Sequence, residues 1–103
     1  MKISNIEYLL YEGYPMLSME VEGVKVLLGV EQKDWLDKGY VRLGEEFEAA
    51  RPDLVSIFEG GRVTGGFVKS DELVKIYRDF YKAANSLKDL DKFRVVVPVR
   101  PLE

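Results

Sequence analysis

The sequence predicts an α+β fold in two layers, in which an antiparallel-rich sheet of about five to six strands has one long helix packed across a face. Three observations lead to this fold class. Residues 5–30 contain three consecutive stretches with the spacing of β-strands, residues 70–90 have the spacing of an amphipathic helix, and residues 92–99 again resemble a strand.

The composition is typical of a soluble globular protein. Of the 103 residues, 47% are hydrophobic and 32% are charged, and we expect a single domain over residues 1–103. No stretch has the roughly 18 apolar residues of a membrane span, and the first residues do not resemble a signal peptide, so we expect a cytoplasmic location. The many charged residues and the absence of cysteine favour a thermophilic source.

The chain has no cysteine and no histidine. This excludes disulfides, thiolate nucleophiles, zinc sites built from Cys and His, and acid–base mechanisms that use imidazole. Any catalysis would fall to Asp, Glu, Lys or Tyr, whose pKa values are harder to bring near neutral pH. We expect no cofactor.

The first predicted strand, residues 5–12, is apolar on both faces. One face carries Ile6, Tyr8 and Leu10, and the other carries Leu9 and Tyr11. Such a strand is usually covered on both sides.

Two further strands follow it and complete an antiparallel meander. A turn at residues 13–15 precedes residues 16–22, in which apolar and polar residues alternate strictly. The Glu22-Gly23 pair predicts a tight turn, and residues 24–30 place a valine or leucine at every second position.

The middle of the chain predicts short helices. Residues 31–38 suit a two-turn helix that is anchored by Trp35 and Leu36 and stopped by Gly39. Residues 40–43 suit an extended link, and residues 45–51 suit a second short helix ended by Pro52.

Residues 54–68 allow two interpretations. The first is a hairpin between residues 54–58 and 62–68, with a turn at Gly60-Gly61. The second is a helix that begins at Pro52 and is capped by Gly60. We favour the hairpin, because residues 62–68 are evidently extended and need a pairing partner.

The long helix is predicted from Ser70, a good N-cap, to about Leu90. Its apolar face follows the three-and-four spacing of a helix and consists of Leu73, Tyr77, Phe80, Ala84 and Leu87. Residues 92–99 form the last strand, and Pro98 restricts it to a sheet edge or to the end of the strand. If this strand and residues 62–68 were parallel in one sheet, the crossover between them would be right-handed.

The glycine-rich stretch 60–66, GGRVTGG, fits no phosphate-binding motif. A Walker loop would need lysine where Gly66 or Phe67 stands, and a dinucleotide-binding turn would have to open directly into a helix. We interpret this stretch as a hairpin turn followed by a bulge or a closely packed strand.

Charged residues form two clusters. Glu45, Glu46, Glu48 and Asp53 are conceivable ligands for a hard cation, although a solvated helix face explains them better. Lys75, Arg78 and Lys82 share the polar face of the long helix, but Asp79 interrupts it, so nucleic acid is not an expected partner.

The two parts of the chain also differ in charge. Residues 1–60 carry 6 basic and 12 acidic groups, whereas residues 61–103 carry 9 basic and 6 acidic groups. The difference suits the alignment of two copies or a charged partner, although chance and the ordinary charge of a soluble surface explain it better.

The leading functional hypothesis is a small non-catalytic interaction module that self-associates or docks a protein partner. Tyr and Trp are favoured at interfaces, and the residues that we predict there are Tyr8, Tyr11, Trp35, Tyr77 and Tyr81. The alternative is a small-ligand-binding protein or an enzyme that uses carboxylates and tyrosines, with or without a divalent cation. No membrane partner is expected.

Two apolar surfaces predict a homodimer. The apolar arc of the long helix spans roughly 200°, about twice the minimum for a single contact, and the first strand is apolar on both faces. Two-fold pairing is the commonest way for a soluble protein to bury such surfaces. The competing explanation is that Trp35, Leu36 and Phe47 fold back and cover the sheet within one chain.

Overall fold

The computed structural model describes residues 1–57 and 65–101, with Lys33 by its backbone alone. In these residues the strands are β1 Ile3–Tyr11, β2 Tyr14–Val21, β3 Val24–Leu28, β4 Tyr40–Arg42, β5 Phe67–Lys69 and β6 Arg94–Val97. The helices are α1 Lys33–Leu36, α2 Glu45–Ala50 and α3 Asp71–Ala84, and 3-10 turns occupy Pro52–Leu54 and Leu87–Lys92. The mixed content and the packing of α3 on the larger sheet confirm the predicted fold class.

The strands divide into two sheets. The larger sheet has the order β3-β2-β1-β6, in which β6 is parallel to β1 and the other neighbours are antiparallel. The smaller sheet is the antiparallel pair β4-β5. Since β5 and β6 belong to different sheets, the single-sheet crossover considered from the sequence does not occur. The edge position predicted for the last strand is confirmed.

The predicted meander is confirmed, and two-residue turns connect its strands. Glu12 and Gly13 both have positive φ, at 50° and 84°, and so do Glu22 and Gly23, at 50° and 80°. Turns of this conformation match the twist of the strands that they join.

Strand β1 contains a bulge near its start. The β1–β2 register shifts between Ser4 and Glu7, where Asn5 has a φ of 54°. Ile6, beside the bulge, is 46% exposed and does not pack into the core as Tyr8 and Leu10 do.

The core lies between the larger sheet and the helices. We call the sheet face that lines it the inner face, and the main core cluster includes Leu17, Met19 and Val21 of β2 and Val26 and Leu28 of β3. The helices contribute Leu36 from α1, Phe47 from α2, and Leu73, Val74, Tyr77, Phe80 and Ala83 from α3.

Helix α3 begins as predicted and ends earlier. The Ser70 hydroxyl accepts a hydrogen bond from the Leu73 N–H at 3.2 Å, which confirms the N-cap. At the other end the Asn85 side chain donates to the Tyr81 carbonyl at 2.8 Å, and the chain continues as a 3-10 turn. The tighter turn changes the helical phase. Leu87 is therefore 88% exposed, and its assignment to the apolar face is wrong.

The hairpin predicted for residues 54–68 does not form in its first arm. Leu54 ends a 3-10 turn that begins at Pro52, and residues 55–57 form no strand, although the Ser56 N–H donates to Phe67 O at 2.7 Å. Strand β5 pairs with β4 instead, with Val68 opposite Val41. The helix alternative also fails over these residues, while residues 58–64 lie outside the described chain.

The described part of the glycine-rich stretch is closely packed, as predicted. Gly66 has a φ of 75°, and a Cβ placed there would lie 2.5 Å from the Gly44 carbonyl oxygen. The Leu43 N–H donates to Gly66 O at 2.9 Å and the Gly44 N–H donates to Gly65 O at 2.7 Å, which extends the β4–β5 pairing. Only glycine fits both the conformation and the space at position 66.

Gln32 connects the two sheets. Its side-chain amide donates to the Arg42 carbonyl and accepts from the Arg42 N–H, both at 2.7 Å, as a neighbouring strand would. Its backbone N–H donates to the Tyr77 hydroxyl at 3.2 Å, and that hydroxyl donates to Gly29 O at 2.5 Å. Polar groups of the linker between β3 and α1, of β4 and of α3 thereby satisfy one another's hydrogen-bonding needs.

Candidate interaction surface

The five aromatic residues predicted for an interface do not form one surface. Tyr77 is 0% exposed and lies in the core, so we leave it out of the candidate surface. Tyr8 is half-buried, with its ring centroid 5.6 Å from that of Phe80 and 5.1 Å from that of Phe93. Tyr81 is also half-buried and packs against the main core.

The other two predicted residues lie in separate places. Trp35 is half-buried, and its ring meets that of Phe67 edge to face at 5.1 Å, in a small cluster that also contains Tyr40. Tyr11 ends β1, where it pairs with Tyr14 of β2 and Val97 of β6. Of the five, Tyr11 alone adjoins the exposed apolar surface described below.

The wide apolar arc of α3 is used within the chain. Its centre is buried in the main core, and Ile76, Tyr81 and Ala84 on its flanks are partly buried against the same core. Leu36 and Phe47 of the short helices are buried there as well. The helices of the described chain therefore share the inner face. Of the three residues in the competing explanation, Leu36 and Phe47 lie there, whereas Trp35 packs in the separate cluster with Tyr40 and Phe67.

The opposite face of the larger sheet, which we call the outer face, is different. Strand register places Glu7, Ser18 and Leu27 in one row across it, and Leu9, Met16 and Arg94 in the next row. The main core cluster of the described residues includes none of these side chains, although Leu9 and Ser18 are themselves only 5% and 6% exposed. Leu27 is 45% exposed, and Tyr14, at the end of this face, is 72% exposed.

Strand β6 forms an exposed apolar edge beside this face. Val95, Val96 and Val97 are 57%, 37% and 37% exposed, and Val99 just beyond them is 66% exposed. One side of β6 pairs with β1, and within residues 1–57 and 65–101 no strand pairs with its other side. An unpaired strand edge presents N–H and C=O groups that can pair with another chain. We call residues 95–97 and 99 the valine edge.

In the sequence, this edge is indicated by valines and a proline and not by aromatic residues. Residues 95–97 are three consecutive valines without the polar alternation of β2, and Pro98 already indicated an edge strand. Selecting Tyr and Trp missed the site because large aromatic side chains are also the best core fillers. Here most of them serve as core.

The described residues provide little for catalysis. They contain no group of three or more acidic residues placed to hold a metal ion, so Glu45, Glu46, Glu48 and Asp53 do not converge. Burial, opposed by the hydrogen bond from the Gln32 N–H and assisted by the nearby charge of Glu31, raises the pKa of Tyr77 to about 12. A hydroxyl that remains protonated and is bound by two backbone groups has a structural role.

The basic face of α3 is largely neutralised. A groove of about 610 Å³ runs along it and is lined by Asp71, Val74, Lys75, Arg78, Asp79 and Lys82. Lys75 forms an ion pair with Asp79, four residues away, at 3.6 Å, and Arg78 forms one with Asp37 at 3.1 Å. This mixture of charges does not form the dense basic face of a nucleic-acid-binding protein.

Comparison of the chain with protein-family models, with curated proteins and with solved structures finds no match. Among the described residues, no helix has both the length and the apolar character needed to cross a membrane. Function must therefore be argued from the surface itself.

Proposed function

We propose that this protein is a small, non-catalytic, cytoplasmic interaction module that acts by self-association through the valine edge and the adjoining end of the outer face. The observation that carries the proposal is the exposed run of three valines on an edge strand. Monomeric proteins usually protect such edges with charged residues, proline or a covering element.

The apolar surface continues from the edge onto the sheet. Tyr11 lies beside Val97, and Tyr14 is opposite Tyr11 at the end of β2. Together Tyr11 and Tyr14 extend the apolar surface from the edge of β6 onto part of the outer face. Aromatic residues at the centre of an apolar patch are favoured in protein–protein contacts.

The other edge of the larger sheet is better protected. Strand β3 packs against α2, whereas the contacts of β6 with another strand or helix are mainly those with β1. Strand β3 also carries the exposed charge of Lys25 between Val24 and Val26, although its Leu27 is 45% exposed. In β6 the charge of Arg94 and the proline at position 98 lie only at the two ends, with three valines between them. The two edges therefore differ in how readily they accept another chain.

Size-exclusion chromatography with light scattering tests the proposal. We expect the wild-type chain to approach twice its 11.8 kDa mass as its concentration rises. Val95→Lys should shift the mass towards that of the monomer, because it places a charge in the centre of the apolar edge. Leu87→Lys is the matched control, since it makes the same replacement at a residue that is 88% exposed elsewhere.

A wild-type chain that remains monomeric at every concentration contradicts self-association. A dimer that Val95→Lys and Leu87→Lys weaken equally contradicts the choice of surface. Circular dichroism of each variant should show an unchanged fold, since both positions are exposed.

A further inference from the structure

We draw no further inference here: the strongest candidate, the groove of about 520 Å³ that β3 shares with the start of α2, is lined by Lys25 as well as by Glu45 and Glu46, so its charge selects no class of ligand, and nothing in the structure shows what covers it.

Discussion

Replacing Phe80 should destabilise the chain more than most other single substitutions. Phe80 is 0% exposed, and its ring centroid lies 5.6 Å from those of Tyr8 and Tyr77 and 6.1 Å from that of Phe93. It therefore joins α3 to β1 and to the residue that precedes β6. Phe80→Ala removes a buried aromatic side chain and should cost about 3–5 kcal/mol of unfolding free energy. Since the unfolding free energy of native proteins is only about 5–15 kcal/mol, the variant should retain only a fraction of its stability.

Two further variants make the measurement specific. Phe80→Leu keeps most of the apolar volume but loses the three aromatic contacts, so it should cost about 1–2 kcal/mol. Lys82→Ala, on the exposed side of α3, should cost about 0.5 kcal/mol or less. Urea unfolding followed by circular dichroism measures all three. If Phe80→Ala and Lys82→Ala unfold at the same urea concentration, the assigned packing of α3 is wrong.

Three other predictions concern the linker, the pH dependence and metal ions. Gln32→Leu should cost about 1–3 kcal/mol in urea unfolding, because the N–H and C=O of Arg42 lose their partners; an unchanged midpoint would contradict the connecting role of Gln32. Tyr77→Phe should be about 1–2 kcal/mol less stable than the wild type at pH 7. The pKa of Tyr77 is raised to about 12 from an unfolded value of about 10, so the wild type loses this stability as the pH rises from about 10 towards 12, and the difference should shrink near pH 11. A difference that grows with pH would refute this assignment. The melting temperature should be the same with and without a chelator or a reductant, since the chain has no cysteine or histidine; a drop of several degrees with a chelator would indicate a metal site among the carboxylates.

Local features of the fold were predictable because local physics determines them. The Glu22-Gly23 turn and the strict alternation of β2 fix the meander, and the Ser70 hydroxyl fixes the start of α3. The end of α3 was harder to predict. The apolar spacing continues to Leu87, whereas the Asn85 side chain and the following 3-10 turn end the helix at Ala84. The spacing of apolar residues alone does not reveal such a change of helical phase.

Features that depend on distant contacts could not be derived. The strand that pairs with β5 is β4, whereas Ser56 adds a single backbone hydrogen bond to Phe67. Gly65 and Gly66 extend the β4–β5 pairing through hydrogen bonds from the N–H groups of Leu43 and Gly44. The candidate surface could not be derived from the sequence for the same reason. From the sequence, the apolar arc of α3 appeared wider than one contact could bury, but its flanks pack in the core that α1 and α2 also line. The valine edge depends on the position of β6 at the edge of the sheet, beside β1, which the sequence does not specify.

The parallel pairing of β6 with β1 has a consequence for how the chain folds. Arg94 contacts Glu7 across 87 positions of sequence, whereas β1, β2 and β3 are joined by two-residue turns. The meander can therefore form early from local contacts, and addition of β6 must await closure of a long loop, which is the slower kind of step. Until then β1 itself is the open strand, with Leu9 and Leu10 unprotected on that side. During synthesis an aggregation-prone edge is thus exposed first on β1, and its position then moves outward by one strand when β6 docks.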